Sequence, residues 1–173
     1  MSQNMAKHVI CICAVFLSLF ISCISFALPD DREKTLYLRA NKADINQATH
    51  KGIYTGDVEL DQGSSHLRAA FAITQGNESN QLIKAFAKGD THAQAHFWCL
   101  TAHNKPVLHA YADKIYYYPN KHIIELVGNA KVSQGENTFQ APTILYNVEQ
   151  QHVITKRSGN QRTSITIYPE KKS

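Results

Sequence analysis

The phrase "GDVELDQGSSHLRA", Gly56 to Ala69, returns as "GNAKVSQGENTFQA", Gly128 to Ala141, at a constant offset of 72 residues. In each copy apolar residues take every second position: Val58 and Leu60, then Leu67 and Ala69; Ala130 and Val132, then Phe139 and Ala141. Side chains two apart share a face only on a β-strand. Each copy therefore reads as strand, Gln-Gly turn, strand. One such meander cannot cover its own apolar face. Similar meanders laid side by side can, and this limits the fold to stacked antiparallel strands.

The rest of the chain keeps the same period. Leu36, Leu38 and Ala40 alternate with Tyr37 and Arg39, and Leu67, Ala69, Phe71 and Ile73 line up in "HLRAAFAIT". Turn formers separate the strands: "QGNESN", "HNKP", "YPNK", "SQGEN", "RSGNQ". The expected fold is all-β, a coil or twisted antiparallel jelly roll with apolar side chains inside and charges outside. Upstream, Ala43-Asp44-Ile45 is set against Ala112-Asp113-Lys114-Ile115, which makes the second copy about three residues longer at "YYYPNK". A degraded middle unit is read at Lys88-Gly89-Asp90. Asp44 and Asp113, at matching repeat positions, are expected to hydrogen-bond in turns rather than to act as an acid/base pair.

The first strand is expected around Leu36, Leu38 and Ala40, and the last at Thr163–Tyr168, with Ile165 and Ile167 alternating. Both ends of such a roll leave backbone donors and acceptors unpaired. Strand addition from another chain satisfies them. Joining two different edges head to tail is a contact that need not close.

Little in the sequence supports reactive chemistry. A formal net charge of +4 is too weak to argue for a nucleic-acid partner. No nucleophile–base constellation and no phosphate loop is present, so no enzyme and no cofactor is expected. His92 and His96 in "HAQAH" would suit zinc on a helix. On a strand they lie about 13 Å apart, too far for one ion, so no metal site is expected. Tyr116, Tyr117 and Tyr118 should alternate between faces. Arg39, Arg68, Lys84 and Lys88 sit opposite apolar faces and read as a solvated exterior, with lipid phosphates at the rim as the alternative.

Residues 1–27 read as a secretory signal cleaved after Ala27: a short start with Lys7, an uncharged apolar run from Val9, and Ser25-Phe26-Ala27 before Leu28-Pro29-Asp30-Asp31. An uncleaved anchor is the alternative, since Val9 to Leu28 is long enough to span a bilayer. Cys11, Cys13 and Cys23 lie in the leader. Cys99 alone remains in residues 28–173, which read as one domain with a core of about 35–168, and it reads as a packed thiol.

"ADKIYYYPNKHIIELVGNAKVSQGENTFQAPTILYN" and "GDVELDQGSSHLRA", behind a leader, resemble the LptA/OstA-like family of periplasmic lipopolysaccharide-transport proteins. The resemblance implies a V-shaped β-jelly roll, open at both ends, whose apolar interior holds acyl chains. It implies head-to-tail self-association and contacts through terminal strands with inner- and outer-membrane transport proteins. Residues expected to line the interior are Leu36, Leu38, Val58, Leu60, Leu67, Phe71, Ile73, Phe97, Leu126, Val132, Phe139, Ile144 and Tyr146. Periodicity alone leaves a dry core open as the alternative, and the resemblance favours lipid. The rival functions are a membrane-anchored partner of the same pathway and a structural β-repeat protein with no lipid site.

Overall fold

The computed structural model describes residues 34–79, 81–147, 150, 152–157, 159 and 162–169. The expected leader, residues 1–27, lies outside them. The described residues form twelve strands and one short 3₁₀ turn at Pro119–Lys121. The strands are β1 Leu36–Arg39, β2 Lys42–Asn46, β3 Lys51–Gln62, β4 Ser65–Gly76, β5 Leu82–Lys88, β6 Ala95–Cys99, β7 Leu108–Ala112, β8 Lys114–Tyr118, β9 Ile123–Gln134, β10 Asn137–Asn147, β11 His152–Lys156 and β12 Ser164–Thr166. All pair antiparallel in one continuous sheet, a twisted β-jelly roll. The expected first and last strands are present, each shorter than read: Ala40 and Ile167 lie just outside β1 and β12.

The four long strands β3, β4, β9 and β10 run the full width. The short ones sit end to end beside them: β1 and β2 along β3, β6 and β5 along β4, β7 and β8 along β9, β12 and β11 along β10. A crease divides the sheet where the short strands break. One lobe is ordered β1-β3-β4-β6-β7-β9-β10-β12 and the other β2-β3-β4-β5-β8-β9-β10-β11.

The crease is written in the repeated phrase. Gly56-Asp57 and Gly128-Asn129 all have positive φ, at 78°, 45°, 82° and 47°. Glycine adopts this region freely, and Asp and Asn tolerate it best among other residues. Each pair bulges opposite a single residue, Ala70 on β4 and Pro142 on β10, where the register shifts. The single residue reverses the alternation of its strand. On β4, Leu67 and Ala69 face inward before the bulge, and Ala72 and Thr74 after it. Phe71 and Ile73 therefore lie on the outer face, which corrects the expectation that they continue the line of Leu67 and Ala69. Unbroken alternation in sequence hid the reversal because Ala70 is itself apolar.

The repeat is more regular than the sequence alignment suggested. β1 and β7 start at Leu36 and Leu108, β2 and β8 at Lys42 and Lys114, β3 and β9 at Lys51 and Ile123, β4 and β10 at Ser65 and Asn137, each pair 72 apart. No insertion separates the copies, and His50 and His122 take the same left-handed turn position, at φ 51° and 52°. The counterpart of Asp113 is thus Asn41, not Asp44. Backbone N–H groups of Asn41 and Asp113 donate to Gly56 and Gly128 carbonyls at 2.9 and 3.0 Å. Asn41 Nδ2 donates to Asp57 Oδ2 at 2.8 Å, and Asn129 Nδ2 to Asp113 Oδ2 at 3.1 Å. The same bond recurs with amide and carboxylate exchanged. Asp113 Oδ1 also accepts from Gln94 Nε2 at 2.9 Å. The double exchange D113N/N129D keeps every one of these partners and should cost under about 0.5 kcal/mol. D113A should cost about 0.5–1 kcal/mol by urea denaturation, since Asn129 Nδ2 loses its carboxylate partner while Gln94 Nε2 keeps the Gly128 and Asn129 carbonyls.

The middle unit is a different device. Lys88-Gly89-Asp90 ends β5, and the Asp90 carboxylate accepts from the His92 and Ala93 N–H groups at 2.8 Å each. This tight turn carries the chain along the crease from β5 to β6, both beside β4.

Candidate functional site: the inner face and the open edges

A single cross-strand row spans the first lobe: Leu38, Leu60, Leu67, Phe97, Ala110, Val132, Phe139 and Ile165, each directly opposite the next. Directly opposed residues share a face, so an apolar rail crosses eight strands. At about 4.8 Å per strand it is about 34 Å long. In the second lobe Tyr54, Ala72, Ala87, Ile115, Leu126 and Ile144 form the matching row. Leu36 lies outward of the first row, Val58 lies at the crease, and Tyr146 lies opposite Ile124 in the second lobe. The inner face therefore gathers the expected lining residues except Phe71 and Ile73.

The expected lining set leaves out a run of alanines: Ala87, Ala95, Ala110, Ala112, Ala130 and Ala141, all buried beside Ile115 and Ile124 in one cluster. The alternation of Leu108, Ala110 and Ala112 carried that signal. Small side chains at the crease let the two lobes fold close together. Among the described residues the interior holds no buried polar or charged side chain. Burial pushes the Tyr146 hydroxyl pKa upward, and the Cys99 thiol, on the opposing lobe, adds to the effect. The lobes thus face each other across the interior. Over the middle rows they meet: Leu126 is 1% exposed and Ile144 0%.

The ends differ. The exposed large apolar residues are Leu36 (44%), Tyr37, Ile45 (62%), Ile154, Ile165 (54%), Ile167 (66%) and Tyr168, all on or next to the terminal strands β1, β2, β11 and β12. Each of these strands has a hydrogen-bonded neighbour on one side only among the described residues. The apolar interior therefore comes to the surface at both edges of the stack.

The outer face of the first lobe is polar and paired. Arg39 meets Glu59 at 3.2 Å and Arg68 meets Asp61 at 2.9 Å, with Arg68 also over the Trp98 ring at 5.2 Å. Burial pulls the Asp61 carboxyl upward, but hydrogen bonds from Arg68 and His66 outweigh it and hold the pKa below its ordinary value. His92 sits in the loop before β6. His96 stacks on Tyr111 at 4.1 Å and on Trp98 at 4.5 Å, and its Nε2 shares a proton with His109 Nδ1 at 3.1 Å. No cluster that could hold a metal ion occurs among the described residues. Burial, then His109 and Arg68, lower the His96 pKa to about 4. The folded state thus prefers neutral His96, so its contribution is complete above the ordinary value of 6.5 and fades as pH falls toward 4. H96Q should flatten the fall of Tm across that window, measured by circular dichroism.

With this geometry in place, comparison with known proteins places the chain. The model of the family described as LptA/(LptD N-terminal domain) LPS transport protein matches residues 37–152, from β1 to β11. The chain belongs to that family. The lipopolysaccharide export system protein LptH of Pseudomonas aeruginosa is 30% identical over 159 residues, covering 88% of this chain and 89% of LptH. The lipopolysaccharide export system protein LptA of Escherichia coli K12 is 21% identical over 148 residues, covering 84% and 77%. The crystal structure of LptH, described as the LptA-homologous periplasmic component of the lipopolysaccharide transport device, superposes with a TM-score of 0.74 at 27% identity, over 82% of this chain and 100% of that one. The family resemblance read from the repeated phrase is thus correct. In this LptA/LptD-family chain the crease is encoded twice, once in each of its two phrases.

Proposed function

We propose that this chain is a periplasmic lipopolysaccharide carrier that shields acyl chains between its two lobes and links inner- and outer-membrane transport proteins through its terminal strands. The observation that carries the reading is the uninterrupted apolar row from half-buried Leu38 to exposed Ile165, with Leu36 exposed beside Leu38, across an interior without buried charge among the described residues. Each acyl CH₂ moved out of water gains about 0.8 kcal/mol. A row of near-equivalent apolar sites lets a chain shift from one to the next with little change in free energy. This requires no catalytic group, in keeping with the names of the relatives. Leu36, Leu38, Val58, Leu60, Leu67, Phe97, Leu126, Val132, Phe139, Ile144 and Tyr146 are the proposed lining. Because the lobes meet over the middle rows, a chain passing there has to part them about the crease. Secretion with cleavage after Ala27 belongs to the same reading, and N-terminal sequencing of the exported protein should begin at Leu28.

A photo-crosslinking amino acid placed at Phe97, on the inner row, should label lipopolysaccharide strongly. The same group at Glu59, on the outer face, should not. Equal labelling at both positions would leave a structural β-repeat without a lipid site as the better account. Edge joining supports its own prediction. Ile165→Glu places a charge where Phe139 and β12 meet a further strand, and it should reduce head-to-tail association by about tenfold or more in multi-angle light scattering.

A further inference from the structure

The outer face of the second lobe is built unlike that of the first. Its central row runs Ile53, Ile73, Phe86 and Tyr116, directly opposed in turn, and is bordered by a carboxylate on each side, Asp44 beside Ile53 and Glu125 beside Tyr116, with Leu145 and Ile154 following beyond Glu125. Phe71 joins it edge-on to Phe86 at 6.3 Å. Lysines flank this apolar row along both of its long sides. On one side Lys88 and Lys114 stand directly opposite each other across β5 and β8, both exposed. On the other, Lys51 and Lys84 wall a groove of about 370 Å³ floored by Ile73, Phe86 and Tyr116. Lys84 Nζ lies 5.9 and 5.7 Å from the Tyr116 and Tyr118 ring centres. The two lysine rows are four residues apart along the strand, about 13 Å.

Like charges placed directly opposite destabilise a sheet. On the outer face of the first lobe, by contrast, the directly opposed charges of β1, β3 and β4 are of opposite sign, Arg39 with Glu59 and Glu59 with Arg68. None of Lys51, Lys84, Lys88 and Lys114 lies in an ion pair among the described residues. An uncompensated lysine pair beside a half-exposed aromatic groove points to an anion supplied from outside. Lysine, a flexible point charge, suits carboxylates without demanding bidentate geometry. The acids bordering the row, Asp44 and Glu125, would repel an anionic bilayer laid flat across the lobe. We propose that this face docks an acidic segment of a partner protein, with an aliphatic or aromatic side chain seated on Phe86 and Tyr116 and carboxylates on the flanking lysines.

The test is fluorescence anisotropy with a labelled peptide of alternating glutamate and leucine at low salt, with no lipid present. Saturable binding is expected, weakening as salt rises. K88E should weaken it by about tenfold while raising Tm, because the substitution turns a repulsive pair into an attractive one. K131E, on the outer face of the first lobe, should leave binding unchanged. Opposite movements of affinity and Tm separate loss of a site from loss of fold. Absence of saturable binding, equal affinity of K88E and the parent, or binding to phosphatidylglycerol vesicles in place of the peptide would each overturn the proposal. None of these outcomes bears on lipid labelling from the inner row.

Discussion

Gly89→Ala is expected to lower the unfolding free energy by about 2–4 kcal/mol in urea denaturation. Gly89 is buried where β5 turns into the crease, and its N–H donates to the Asp113 carbonyl at 3.1 Å. A methyl group there would run into the Ala93 carbonyl oxygen, and would approach Ala95 N and Gln94 Cα to 2.7 Å each. These are backbone atoms and cannot rotate aside. The loop 89–94 would have to move, and with it the Gln94 contact to Asp113. Gly159→Ala supplies the control. Its φ is +56° but nothing lies within 4 Å of the added carbon, so only the left-handed backbone cost of about 1 kcal/mol applies. Equal losses at the two glycines would mean that the crease is not the tight joint described.

Leu126→Ala should cost about 3 kcal/mol, within the range of about 2–5 for buried leucines. Leu126 is fully enclosed, directly opposed to Ile115 on one side and Ile144 on the other. The neighbouring alanines of the cluster have no reach to fill the vacated volume. Leu36→Ala, on the exposed N-terminal edge, should cost under about 1 kcal/mol in the monomer, and its larger effect should fall on association. Chemical denaturation at low protein concentration separates the two. A Leu126→Ala loss as small as that at Leu36 would mean that the lobes already stand apart in solution.

Much of this architecture was legible in residue order. The period-two runs gave strands near β1, β3, β4, β9, β10 and β12, and the two glycine-led phrases gave a repeat whose offset holds from Leu36 to Asn147. Inward placement of Leu38, Leu60, Leu67, Phe97, Val132 and Phe139 followed from alternation alone. Phe71 and Ile73 did not, because one unpaired residue at Ala70 reverses the parity of the strand and nothing in an apolar run marks it. Asp44 was matched to Asp113 because like residues were aligned. The bond itself is conserved with its ends exchanged, so the true counterpart is Asn41. The interior alanines are absent from the expected lining because a small side chain carries little hydropathy, although at a crease its size is what matters.

Taken by itself, the sequence determined the strands and the repeat, since both depend on side chains two positions apart and on residues that accept left-handed backbone. Which residues oppose each other was decided only in three dimensions. The eight-strand apolar row, the closed middle and the facing lysines of the second lobe each join residues tens of positions apart in the chain. Pairing register and the parity change at each bulge bring them together, and neither is a property of any local stretch.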